Sequence, residues 1–280
     1  MAQKLIAAIG IAVLIAQPLV TFHIGVETGG PQLRALLTRW GLNARYFLAT
    51  FVVMPAIATG LGAFGILPRT IWVGLALMSI APPAPPATLR LKKMGNRDVG
   101  LAWQAEAFLI SVVTIPLTIT IVQSMGLADT NLNLTWWPVL ERSLTFFAVP
   151  MFIGLLVRRY LPAVADALVK PVGLLANVAL LVLVVLVLIV AVPIILKFHI
   201  ASIAIVIGFV ALAIVVGHLL GGPGNDTRIT LAAMLAARFP VPTLVLAQAN
   251  NATKMVLPVV LVYILAGTLL VPLYARLTKT

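Results

Sequence analysis

Cysteine is absent from the 280 residues, and acidic residues number only seven. The first absence excludes disulfides, thiolate metal sites and cysteine nucleophiles. The second belongs to a general shortage of charge: 9% of residues are charged, against about 25% in a soluble domain. A water-soluble globule of this length is therefore excluded. Also missing are HExxH, GxSxG, paired aspartates and any cluster of metal-ligand residues, which argues against an intramembrane enzyme. No Walker A loop is present, so a gradient is the energy source for any coupled work. No cofactor and no metal are expected.

What is present is apolar. Hydrophobic residues make up 62% of the chain and mean hydropathy is +1.14, which places it in a bilayer. With about 20 apolar residues needed per crossing, nine spans fall near 4–26, 46–66, 70–90, 99–125, 138–157, 172–195, 199–220, 229–249 and 255–275. The amino-terminal run MAQKLIAAIGIAVLIAQPLVTF has the length of a full span and no clean cleavage site, so it reads as the first span rather than a signal peptide.

A net charge of +12 invites a nucleic-acid reading, but its distribution assigns it to topology. Nine spans put Arg34, Arg39, Arg45, Arg90, Lys92, Lys93, Arg97, Arg158, Arg159, Lys170, Arg228, Arg276 and Lys279 on one side. The other side holds only Lys4, Arg69, Arg142, Lys197 and Lys254. By the positive-inside rule the N-terminus is outside and the C-terminus cytoplasmic. The partners expected are the lipid bilayer and a small solute, with no nucleic acid. The expected location is a prokaryotic inner membrane.

Two spans carry breaks. SIAPPAPPATLRLKKMGN lies at 79–96 and LAARFPVPTLVLAQANN at 235–251. A shift of 157 lays Pro83-Ala84-Pro85 on Pro240-Val241-Pro242. The broken spans are the third and the eighth, so they cross in opposite directions, the signature of an inverted repeat. Proline has no N–H and disrupts the preceding turn, and lipid cannot satisfy the freed groups. Such breaks belong inside protein, where the restarting helix offers N–H groups and a positive dipole end.

With these residues in view, the chain resembles the bile acid:sodium symporter family, in the wider bile/arsenite/riboflavin transporter group. FHIGVETGGPQLRALL (22–37), ATFVVMPAIA (49–58), APPAPPATLRLKKMGNRDVGLA (81–102) and MLAARFPVPTLVLA (234–247) carry the resemblance in order and spacing. It implies an all-α polytopic membrane protein of one transporter domain lacking the family's first helix. A panel (roughly 1–28 and 136–196) would pack on a core (roughly 44–125 and 199–277) in which the broken helices cross. The departures are pointed. Thr88 and Leu89 stand at the family's Ser and Asn positions, Met234 at its Glu, Arg238 at its Gln, Thr50 where Gln is frequent, and Glu106 at a Thr. Leu and Met offer no oxygen to a hard cation, so the resemblance implies altered sodium sites with a fixed guanidinium in their place.

Arg238 and Glu106 are the two formal charges deep in the spans, about 15 Å and 10 Å from their ends at 1.5 Å per residue. Each costs ~2.5–3.5 kcal/mol at mid-bilayer on insertion scales, so a partner or a task is expected. They are read as approaching one another in the empty carrier, an anion competing for Arg238 while Glu106 takes up a proton. A plain structural brace is the alternative. Substrate contacts are expected from Arg238, Thr88, Thr243, Pro85, Pro240 and Gln248, and coupling from Glu106, Thr50 and Gln104. Ser111, Thr114 and Asn250 are weaker cavity candidates, while His23 and His218 read as interfacial. The expected function is a secondary transporter of a small organic anion, sodium-independent and proton-coupled. A sodium symporter with displaced sites, or a sensor or channel without transport, is the alternative.

Overall fold

A computed structural model describes residues 2–85, 91, 94–124, 136–196, 198–249 and 253–278. The chain is helical: α1 (Ala2–Glu27), α2 (Gly30–Thr38), α3 (Trp40–Ala63), α4 (Arg69–Ile80) and α5 (Arg97–Ser124) make the first half. The second half holds α6, from Trp136–Ser143 through to Val149–Tyr160, then α7 (Pro162–Ile195), α8 (Ile200–Leu220), α9 (Asn225–Ala236), α10 (Pro240–Ala249) and α11 (Thr253–Leu277). Among the described residues, seven helices, α1, α3, α5, α6, α7, α8 and α11, are long and apolar enough to cross a membrane. The expected spans at 70–90 and 229–249 are not single helices. α4 stops at Ile80, and α9 and α10 are separated at residues 237–239.

Two boundaries differ from expectation. The sixth span is expected from 172, after a basic loop, yet the helix that forms it, α7, starts at Pro162, and only Leu161 separates it from α6. Proline is preorganised for the first helical position, and Pro171 is accommodated inside the helix. The basic segment after α1 is likewise helical, as α2 and the start of α3.

Packing follows small residues and prolines. α1 packs on α6 and α7. A Cβ on Gly25 would lie 2.3 Å from Met151 O, and one on Gly154 2.5 Å from Phe22 O, so the α1 and α6 backbones touch. Without a hydrophobic drive between helices in lipid, such close approach supplies the contact energy. Pro150 displaces the helix bond to Phe146, and α6 widens into a π-helical stretch at Leu144–Ala148. Thr21 of α1 donates to the Phe146 carbonyl at 3.1 Å. α3 shows the same pairing of features, a π-helical Leu48–Val53 just before Pro55. α7 exposes Leu174, Leu175, Leu181 and Ile189 along its outer side, as a lipid-facing helix does. α8 packs on α9 and α11, with Gly217 against the Ala232 backbone.

Candidate functional site at the crossing of two interrupted helices

α4 ends because Ala81 precedes Pro82, which pushes it to extended geometry (φ −67°, ψ 142°). α9 ends at Ala236, and Ala237 leaves helical geometry (φ −109°, ψ 85°) before Pro240 starts α10. The two unwound stretches meet. Pro83 and Arg238 form an isolated antiparallel bridge. Ala84 N–H donates to Ala237 O at 2.7 Å and Phe239 N–H to Pro82 O at 2.8 Å. Pro83 has no donor, and the bridge uses its neighbours instead. Backbone groups that lipid could not satisfy thus satisfy each other.

Side chains complete the accounting. Thr243 of α10 donates to Leu77 O in the last turn of α4 at 3.1 Å. Gln104 Nε2 of α5 donates to Pro83 O at 3.2 Å. Arg238, only 2% exposed, donates from Nη1 to Ala81 O at 2.9 Å and from Nε to Leu235 O at 3.1 Å. The Tyr263 hydroxyl donates to Leu235 O at 3.0 Å. The guanidinium therefore sits at the carbonyl ends of α4 and α9 at once, where two helix dipoles are negative. Its Nη2 has no hydrogen-bond partner among the described residues.

Glu106 does not pair with it. The described ion pairs are His23–Glu27, Arg97–Glu27 and Arg158–Asp166, and Glu106 Oε2 is buried without a hydrogen-bond partner among the described residues. The expected approach of the two charges is absent because backbone carbonyls, not a carboxylate, hold the guanidinium. Tyr46, whose hydroxyl donates to Trp103 O at 2.9 Å, lies within electrostatic reach of both.

A cavity of about 260 Å³ adjoins the crossing. Arg238, Phe239, Pro240 and Ala84 line it from the two breaks, Leu180 and Val184 from α7, and Ile264, Thr268 and Val271 from α11. Its walls are otherwise apolar. Of the expected site residues, the structure brings Arg238, Pro240, Thr243 and Gln104 to the crossing, with Pro85 directly after the bridge. Thr50 is fully buried in the π-helical part of α3 with Oγ1 unpartnered among the described residues. Gln248 is elsewhere: at the far end of α10 it donates to Ile6 O at 3.2 Å and lines a separate space of about 710 Å³ with Gln3, Gly10 and Lys254. Thr88, Leu89 and Asn250 lie outside the described residues.

Residues 8–198 match the profile of the Sodium Bile acid symporter family. The chain belongs to that family. Its members are membrane transporters, so this is a symporter-family membrane protein with a small-molecule substrate and the bilayer as partners. The first break lies within the matched residues, and the second, with Arg238, beyond them. No curated protein matches the sequence. Two parts of the site escaped sequence reasoning. Tyr263 gave no signal beyond being a tyrosine in an apolar span, and the carbonyls of Ala81 and Leu235 are acceptors that any residue supplies.

Proposed function

We propose that this symporter-family protein is a secondary transporter of a small organic anion, independent of sodium and coupled to protons, working by alternating access. On this reading it makes nine crossings, seven continuous and two interrupted, as two inverted repeats. A panel of α1, α6 and α7 moves against a core holding the breaks. The basic ends of the helices face the cytoplasm, in a prokaryotic inner membrane.

The observation that carries the proposal is Arg238 spanning Ala81 O and Leu235 O. Carbonyls gathered at two helix C-termini form a place for a cation, and here a tethered cation fills it. Sodium independence follows, since a guanidinium and a sodium ion repel. Arg238 Nη2, the N-terminal end of α10 at Pro240 and an otherwise apolar cavity favour an anionic head with an apolar body. Thr88 and Pro85 of the first break and Thr243 are proposed to add contacts, with Gln248 meeting the solute on its route. Glu106, half-buried with an unpartnered oxygen, is the proton-binding carboxyl, with Thr50 and Gln104 as polar neighbours on that route.

The test is uptake into proteoliposomes of a set of radiolabelled organic anions, from short keto acids to conjugated steroids. Sodium is compared with choline at fixed ionic strength, and proton uptake is followed in weakly buffered detergent. Equal uptake in both salts, abolished by Arg238→Gln, and loss of pH dependence in Glu106→Gln support the reading. Steep sodium dependence would refute it in favour of a second reading, sodium symport, which the family name favours.

A further inference from the structure

At the basic end of the fold, α1 and α5 are tied by charge. Arg97 Nη2 of α5 pairs with Glu27 Oε1 of α1. Next to it, Gln32 Nε2 of α2 donates to Asp98 Oδ1 at 2.9 Å, and Gly29 N–H donates to Gln32 Oε1 at 3.0 Å. One turn before Glu27, His23 holds Nε2 3.6 Å from the free carboxylate oxygen, Oε2. His23 Nδ1 is buried with no hydrogen-bond partner among the described residues. The ring lies on Gly173 of α7, where a Cβ would fall 2.7 Å from Cε1. Thus a titratable ring on α1, boxed in by α7, shares one carboxylate with an arginine from across the seam.

The other charges nearby do not occupy His23. Arg158 of α6 donates to Val26 O and pairs with Asp166. Asp98 is engaged by Gln32, and Lys170, one turn before Gly173, is exposed. The opposite end of α1 is built differently. There the space of about 710 Å³ separates α1 from α10 and α11, bridged by the Gln248–Ile6 contact. α1 is thus tied to α5 by charge at one end and borders this space at the other.

We propose that His23 is a proton-binding site whose protonation loosens the Glu27–Arg97 closure between α1 and α5. A neutral ring leaves Glu27 a full negative charge for Arg97. An imidazolium 3.6 Å from the same carboxylate offsets that charge and repels the guanidinium, so the attraction across the seam falls. Histidine suits this because its charge changes between pH 5 and 8. Closure is therefore favoured on the alkaline side of the ring's titration and opening on the acid side. The proposal rests on the alternating-access reading for its purpose, but its test needs no substrate.

With no native cysteine, spin labels can be placed only where wanted: at Val164 on α7 and Asn225 at the start of α9, both exposed. Pulsed dipolar spectroscopy then reads the distance between them. We expect one short distance near pH 8 and a longer second population that grows as the pH falls. His23→Gln should abolish the pH response, and Glu27→Gln should show the longer population near pH 8 as well. An unchanged distribution in the otherwise unmodified protein overturns the proposal without any variant having to fold. So does a response that survives His23→Gln, or a Glu27→Gln protein that stays closed. Failure of anion uptake would sink the transport reading and leave this result standing.

Discussion

Two main-chain oxygens, Ala81 O and Leu235 O, hold the Arg238 guanidinium at the crossing. A lone arginine ten residues into an apolar span stands out in any sequence, and so does Glu106. What hydropathy could not supply was the partner, because the partners are main-chain carbonyls. Composition sees only side chains, so it paired the two charges that it could see. The actual contacts set the expected cost of substitution. Tyr263→Phe removes one donor from Leu235 O but leaves Arg238 Nε on the same oxygen, so the loss should be modest, about 0.5–1.5 kcal/mol. Arg238→Gln leaves Ala81 O without its donor and should cost more, about 1–3 kcal/mol for a buried carbonyl unmade. Thermal unfolding in detergent ranks the two. A sodium-dependent rise in melting temperature in Arg238→Gln, absent from the parent, would show that the guanidinium occupies a cation's place. No rise in either protein would argue that removing the side chain leaves no such place.

At the scale of elements, glycines of one type have opposite duties. Gly154 of α6 has backbone atoms of α1 within 3.0 Å of where a Cβ would go, and a backbone cannot swing aside. Gly60 of α3 has nothing within 4 Å. Gly154→Ala should therefore destabilise by about 1–3 kcal/mol through overpacking. Gly60→Ala should be neutral or stabilising by about 0.4–1 kcal/mol, through reduced freedom of the unfolded chain. Melting of the two purified variants checks the sign, and two losses of equal size would contradict the packing account. The existence of the long helices was readable because a span leaves a run of about 20 apolar residues. Their ends were not: the start of α7 at Pro162 carries no hydropathy signal, since Lys170 and Asp166 lie inside the helix. The breaks at 81–84 and 237–239 were readable from proline. That the two meet was suggested by the 157-residue offset and by the crossing that the family resemblance implies, and Arg238 bonds to Ala81 across that same separation.

For the whole molecule, the gathering of Glu27, Arg97 and Arg158 at one end makes orientation testable by labelling. Single cysteines at Phe64, 82% exposed between α3 and α4, and at Leu161, 54% exposed between α6 and α7, should react oppositely in intact cells. An impermeant thiol reagent should label position 64 and spare 161, and the reverse pattern would invert the topology. The bridge between Pro83 and Arg238 also has a consequence for how the protein is made. Ribosomes add about 5–20 residues per second, so α4 waits roughly 8–30 s for the segment that completes it. Over that interval the carbonyls of Leu77, Ala81 and Pro82 have none of the donors that hold them in the finished protein. A nascent chain stalled before residue 238 should therefore keep α4 exposed to proteases or retained by insertion machinery, and one stalled after α11 has emerged should not. Biogenesis of this protein turns on a contact whose second half is synthesised 157 residues after its first.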